Sequence, residues 1–301
     1  MSNRSGFSLI ELLLALATTI GLSAMVFHIF HHNERTVRDQ TLIMEMQQAA
    51  RVVASQIAEE IRMAGQGVPV YSSQFDTTIT ESVAVILPAS TDNRIDFRAG
   101  LSAAESAVTG APPLDVSLNV QSTLSVNDGS AFSTALGTTL PTGRFIYVWG
   151  ATSNSTWAWI RAELNAITST TLTMTPRQSS NMTSTIHFTR LPTVTLEEAV
   201  SIYLSGNSVR RATATDMTNP AIPEWSVANE IGKNFTALNF TYYDSNGNVV
   251  APAPLTNRVS ITRVDLQLTV QASATLGTGR QPTYSLALRT IPRNLKLRSA
   301  N

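Results

Sequence analysis

Two hydrophobic patterns follow one another at the start of the chain. Over residues 7–30 the side chains are apolar on every helical face, and the only ionisable groups are Glu11 and His28. A helix over that run extends about 36 Å, enough to cross a hydrocarbon layer of about 30 Å with some tilt. Polarity returns abruptly at His31, His32, Asn33, Glu34 and Arg35. No glycine or proline lies between Gly21 and Gly65, so the polar turn changes the surroundings of the helix without ending it. Leu42, Met46, Ala50, Val53, Ile57 and Ile61 then recur at steps of three and four, one stripe of a helix, with Glu45, Gln48, Arg51, Ser55, Glu59 and Arg62 on the opposite side. Glu34 with Arg38, and Arg35 with Asp39, are spaced for weak pairs along the surface. Gly65-Gln66-Gly67-Val68-Pro69 stops the pattern. These positions predict a helix over 7–64, on the order of 87 Å long. Only its second half is amphipathic, so only that half is expected to lie on a globular head. A coiled coil is the alternative for the outer half, but a stripe of about three heptads rich in Ala and Met favours packing on a sheet. Gly21 is the one helix-weakening residue in the apolar span, at about 1 kcal/mol relative to alanine.

From about residue 71 the period changes from helical to alternating. Val264-Asp265-Leu266-Gln267-Leu268-Thr269-Val270 and Tyr284-Ser285-Leu286-Ala287-Leu288-Arg289 alternate strictly, as half-buried strands do. Further strands are predicted over 83–87, 95–98, 144–150, 157–164, 170–174, 186–191, 200–204 and 235–243. Gly206-Asn207 marks a hairpin, and Asn246-Gly247 a turn of the same kind. The stretch 100–143, rich in Ser, Ala, Thr and Gly, reads as an inserted loop region or a weak meander. The fold class is therefore α+β: a long N-terminal helical spine on a β-rich head of antiparallel sheet.

Composition narrows the chemistry. With 21 basic and 21 acidic residues the net charge is zero, so no broad basic surface exists and nucleic acid is not an expected partner. There is no cysteine, which excludes disulfides, thiol catalysis and Cys-ligated zinc. No Gly-x-Ser-x-Gly, His-Glu-x-x-His or phosphate-cradling Gly-x-x-x-x-Gly-Lys occurs. His187 is the only histidine beyond the helix, and it is expected on a strand facing solvent or a satisfied partner. No enzyme activity, cofactor or metal is expected. His28, His31 and His32 share a helix face with chelating spacing but read better as a wet boundary cluster. Asp244-Ser245-Asn246-Gly247-Asn248 is rich in oxygen but lacks the glycine position and closing acid of a calcium loop. Trp149, Trp157 and Trp159 crowd one predicted hairpin, and Trp225 follows a proline-rich segment; such aromatics serve a core more often than a partner.

The first residues carry a resemblance. Gly6-Phe7-Ser8-Leu9-Ile10-Glu11-Leu12 resembles the class III signal of type IV pilins and type II secretion pseudopilins. The resemblance implies cleavage between Gly6 and Phe7 by a prepilin peptidase and N-methylation of Phe7. It also implies an assembly role for Glu11, whose carboxylate would pair with the Phe7 amine of its own or a neighbouring subunit. A plain signal anchor explains the length but not Glu11, and a secretory signal peptide would not stay apolar past Ala15-Leu16-Ala17 as far as Phe30. In the last third, Ile202-Tyr203-Leu204, Phe240-Thr241-Tyr242-Tyr243-Asp244, Arg263-Val264-Asp265-Leu266 and Leu288-Arg289 resemble minor pilins of the PilW type and J-type pseudopilins. The lack of cysteine departs from the disulfide-closed loop usual in major pilins.

The expected organisation is a cleaved leader over 1–6, a transmembrane or filament-core helix over 7–30, its amphipathic continuation over 31–64 and a β-rich head over 65–301. Arg4 before the span favours a cytoplasmic N-terminus with the head outside, which for this family means a single pass of the bacterial inner membrane and a periplasmic head. The implied partners are the prepilin peptidase, other minor and major pilins, the inner-membrane assembly platform and the membrane itself. The function expected is that of a minor pilin in pilus assembly, initiation or tip priming. The alternatives are a J-type pseudopilin of type II secretion and, from another class, a bitopic adhesin or binding protein.

Overall fold

One helix, α1 (Leu9–Arg62), runs unbroken through the polar turn. It belongs to a computed structural model whose described residues are 8–69, 80–152, 156–180 and 184–292. Its buried face is Met46, Ala50, Val53, Ala54, Ile57, Ala58, Glu60 and Ile61. This is the expected stripe, widened by two alanines that let a sheet approach and by one acid. Leu42 is half-buried, and Glu45, Gln48, Arg51, Ser55, Glu59 and Arg62 face outward. The expected Arg35–Asp39 pairing gives way to a tertiary contact. Asp39 accepts the Gly277 N–H on both carboxylate oxygens, each at 3.1 Å.

After the helix the chain makes β1 (Arg94–Arg98), β2 (Glu105–Ala107), β3 (Leu114–Ser117), β4 (Ser122–Ser125), the short helix α2 (Ser130–Leu136), β5 (Phe145–Ala151) and β6 (Trp157–Ile167). It continues with β7 (Thr171–Ser179), β8 (Thr185–Phe188), β9 (Thr193–Leu196), β10 (Ala199–Ser205), β11 (Ser208–Asp216), β12 (Glu224–Trp225) and β13 (Asn229–Lys233). The last elements are β14 (Phe235–Tyr243), the helical turn α3 (Leu255–Arg258), β15 (Arg263–Gln271) and β16 (Thr283–Thr290). All pairings are antiparallel. The architecture is thus α+β, a long N-terminal helix packed against antiparallel sheets.

The sheets form two lobes. In the inner lobe, β1-β10-β11-β12 with β13 on β11, and the three-stranded β14-β15-β16, enclose the amphipathic half of α1. Strand β1 ends at Arg98 opposite Ala199 of β10. Residues 100–197 therefore leave and return at adjacent points, as an insertion. They build the outer lobe, a six-stranded sheet β2-β9-β5-β6-β7-β4 with the ribbon β3-β8 and α2. The central strands β5 and β6 of the six-stranded sheet are buried on both faces. Tyr147 and Trp159 join the core around α1, whereas Ile146, Val148, Ala158 and Ile160 join a separate core beneath α2 and β8.

Three expectations need correction. The predicted strand over 83–87 is reduced to a single bridge, Ile86 with Phe97. Val85 O accepts from Arg98 and Leu87 donates to Asp96, each at 2.8 Å, but flanking turns stop the ladder there. The stretch 100–143 is neither loop nor meander. Its strands β2, β3 and β4 pair with β9, β8 and β7, partners far along the sequence. Asn246-Gly247 forms a local turn closed by Tyr243 and Val249 rather than the link from β14 to its partner β15.

Charge buried where the lobes meet is the least ordinary feature of the interior. The Glu197 carboxylate, wholly inaccessible, receives Arg98 Nε and Arg161 Nε, each at 2.7 Å. The remaining guanidinium groups donate to backbone: Arg98 to Ala84 O and Pro220 O, Arg161 to Met217 O. Tyr147 donates its hydroxyl to Ser82 O and to Glu197 Oε1 at 3.0 Å. Burial, aided by Glu197, pushes the Tyr147 pKa far above its ordinary value against the pull of the two arginines, so the phenol stays neutral and remains a donor. Arg161 Cζ also stacks 3.8 Å from the centroid of the Phe145 ring. On the spine, Glu60 receives Arg211 Nε on both oxygens at 2.7 and 2.8 Å.

Two stability predictions follow from this packing. Glu197→Gln strands two buried guanidinium groups and is expected to cost about 3–5 kcal/mol. Glu163→Gln, which breaks the half-exposed Arg177 pair, is expected to cost under about 1 kcal/mol. Urea unfolding followed by tryptophan fluorescence compares them, and equal costs would refute the central role given to Glu197. The second concerns the docking of the helix. A Cβ on Gly232 would lie 2.6 Å from Phe235 Cε2 and 2.7 Å from Val53 Cγ2. Gly232→Ala is expected to lower stability by about 1–3 kcal/mol, and an unchanged unfolding midpoint would show that the contact yields freely.

Candidate functional site

The head presents no convergent catalytic set among the described residues, and no group of three or more His, Asp or Glu is placed to hold a metal. His187 Nδ1 meets Asp115 across the exposed β3-β8 ribbon, and Ser117 shares a hydroxyl contact with Thr185 at 3.0 Å. The ring thus has the satisfied partner expected of it. His28 and His32 stand exposed on α1, and His31 Nδ1 lies 3.7 Å from Glu34 Oε2. In the Asp244 turn the carboxylate accepts N–H groups from Asn246, Asn248 and the Asn248 side chain at 2.8–3.0 Å. Those bonds, the Asn248 side chain first, hold its pKa below the ordinary carboxylate value. A carboxylate occupied by donors belongs to a turn rather than to a cation site. Trp149 stacks on Trp157, with ring centroids 5.7 Å apart at 29°. Trp159 is buried at 1% exposure, and the guanidinium of Arg94 lies 5.8 Å from the Trp225 ring. All four tryptophans are engaged within the fold.

What remains is the helix itself. Among the described residues its first half packs against nothing: the span long and apolar enough to cross a membrane has none of its residues buried. Leu9, Ile10, Leu14, Leu22, Phe27 and Phe30 are each at least 65% exposed. Hydrophobic surface on this scale marks contact with lipid or with other apolar helices. Two hydroxyls in the span are satisfied by the helix itself. Thr18 and Thr19 donate to Ala15 O at 2.9 and 2.7 Å, so neither hydroxyl requires water. Gly21 leaves the helix unbroken, and an added Cβ there would meet nothing within 4 Å.

The N-terminus is closed by a reciprocal cap. Ser8, extended at φ −68° and ψ 140°, is the N-cap. Its hydroxyl accepts the Ile10 N–H at 3.3 Å, and Glu11 Oε2 accepts the Ser8 N–H at 3.1 Å. This is the Ser-x-x-Glu arrangement that satisfies two otherwise free helix donors, and the negative charge suits the positive end of the helix dipole. Gly6 and Phe7, the expected processing residues, lie outside the described residues. The expected amine partner of Glu11 lies there too; the bond seen is to the backbone of Ser8.

Sequence reasoning singled out Glu11 for assembly, a role on which the described residues do not bear, and it did not read the cap with Ser8, three positions before it. It also missed Glu60, Arg98, Arg161 and Glu197. Arg161 follows the apolar run Trp157-Ala158-Trp159-Ile160 in a strand buried on both faces, and a charge in such a strand implies a buried partner.

No protein-family model matches this sequence, and no curated protein matches it. Among solved structures it is similar to a type IV-like pilin from Thermus thermophilus, at 10% identity and a TM-score of 0.23, over 55% of this chain and 93% of that one. A score this low establishes no common fold, so the functional reading rests on the helix and its N-terminal residues.

Proposed function

We propose that this chain is a prepilin-like subunit that works by polymerisation. The observation that carries the reading is a single helix with two surfaces: one half docked on a β-rich head, the other half apolar all round and unpacked, with one carboxylate in its first turn. A plain anchor needs the apolar half but not Glu11. On this reading the apolar half is held first by the inner membrane, with the head periplasmic, and then by equivalent helices in a filament core.

The N-cap at Ser8 starts the helix just beyond the expected Gly6–Phe7 cleavage point. Cleavage there by a prepilin peptidase would create an ammonium on Phe7, adjacent in sequence to the N–H that Glu11 already receives. N-methylation of Phe7 keeps that charge. A carboxylate inside a dry helix core is costly unless a cation meets it, and the new amine, from the same subunit or the next, is the group at hand. The two-lobed head supports a minor, PilW-like subunit for initiation or tip priming, with other pilins and the inner-membrane assembly platform as partners. An outer lobe of about a hundred residues would crowd a shaft but has room at an end.

Two measurements test the reading. Mass spectrometry of the protein from a host that possesses the peptidase should give a chain beginning at methylated Phe7. A chain retaining residues 1–6 would refute processing and favour a bitopic binding protein. Glu11→Val should still insert in the membrane, yet enter filaments at least about tenfold less, the effect of losing little more than 1 kcal/mol of pairing. Undiminished incorporation would remove Glu11 from assembly.

A further inference from the structure

The seam between the lobes opens into a cavity of about 330 Å³, equivalent to the liquid volume of roughly ten waters. Leu101, Ala135 and Leu136 give it an apolar wall, and Arg144, Glu198 and Arg211 bring charge to it. Two of those charges are already bonded. Arg211 is held by both oxygens of Glu60, and Glu198 Oε2 accepts the Ser102 N–H and hydroxyl at 2.9 and 2.8 Å. Nearby Asp216 accepts the Thr218 N–H at 2.6 Å.

Arg144 differs. Its Nη1 donates to Ala214 O at 2.6 Å, and among the described residues its guanidinium has no other hydrogen bond and no carboxylate within 4 Å. Burial lowers its pKa, and Glu198 and Asp216 oppose the shift only from a distance. A half-buried guanidinium offers a planar fork of donors that matches a carboxylate. Here the fork belongs to a cavity whose lining also includes Leu101, Ala135 and Leu136.

We propose that this cavity binds a carboxylate carried on a short aliphatic stem, with Arg144 as its counter-ion and Leu101, Ala135 and Leu136 packing on the stem. That chemistry is shared by a free short-chain acid and by a glutamate side chain of an adjoining protein. The proposal is independent of filament assembly, since it rests on the seam of the head alone.

The test uses the full chain in detergent micelles, labelled with ¹⁵N-arginine. Butyrate should shift the Arg144 Nε–H resonance saturably with a millimolar Kd, as suits a ligand of few atoms, while the neutral butyramide shifts nothing. Arg144→Gln should abolish the response. Leu136→Trp, which fills the cavity and keeps the guanidinium, should weaken binding at least about tenfold. The buried Arg98 and Arg161 resonances report whether each variant is folded, and Leu136→Trp decides should Arg144→Gln unfold. N-acetylglutamate amide, compared with butyrate, separates the sources: tighter binding of the former indicates a protein side chain, and of the latter a free acid. Absence of any arginine shift with either compound at roughly 50 mM, far above a millimolar Kd, overturns the proposal. So does a shift that persists in Arg144→Gln, or full affinity in Leu136→Trp.

Discussion

Continuity of α1 is the constraint on which the rest of the protein depends, because one backbone must serve two solvents. A helix satisfies its own N–H and C=O groups, so it is free to leave the head and enter an environment that offers no hydrogen bonds. Over Leu9–Phe30 every side chain is exposed, and among the described residues nothing but the helix supports the chain. Beyond the polar turn the same geometry gathers Met46, Val53, Ile57 and Ile61 on one side, each contributing about 1.5–3 kcal/mol when fully buried. The inner lobe is shaped by this requirement. Strand β16 carries Tyr284, Leu286 and Leu288 toward the helix, and Gly232 gives up a side chain so that Val53 and Phe235 can meet.

The outer lobe poses a different problem, since an insertion joined at two adjacent points is free to pivot. Three things prevent this. The six-stranded sheet shares its inner face with the core around α1 through Tyr147 and Trp159. Glu197, one residue beyond β9, binds Arg98 from the inner lobe and Arg161 from the outer one. The spare donors of both arginines are taken by carbonyls of Ala84, Pro220 and Met217, from two further segments. Well-packed apolar side chains would stabilise the seam about as well. What the charges add is direction. A misdocked lobe would leave a guanidinium buried without a partner, so only one relative placement satisfies all the donors.

The sequence was legible wherever structure is dictated by neighbours along the chain. The helix could be read within two residues because periodicity, the absence of glycine and proline and the Gly65–Pro69 stop are all local. So could β10 and β11, joined by Gly206-Asn207, and the alternating β15 and β16. Strands β2, β3 and β4 could not, since each has only three or four residues and owes its existence to a partner formed much later in the chain. The run at 83–87 misled for the converse reason. It is apolar because it is buried, but turns on either side leave only a bridge to β1. The charged pairs were hidden by distance: Arg98 and Glu197 lie 99 residues apart, Glu60 and Arg211 151.

Glu11 is where local legibility and long-range need meet. Its spacing from Ser8 makes a cap from sequence alone, and in a monomer near the headgroups a cap and some water satisfy the carboxylate. One backbone N–H is nevertheless a weak partner for a full charge, and its adequacy ends where water does. If the helix is withdrawn into a core of other helices, a second donor must be supplied, and no other ionisable group lies within the apolar span until His28, about 26 Å further along the axis. The only cation that can be made close by without altering a side chain is a new chain terminus. On the proposed reading, a precursor that carries the acid and lacks the amine would be stable in the membrane but incomplete for a filament, and cutting the chain would supply what is missing.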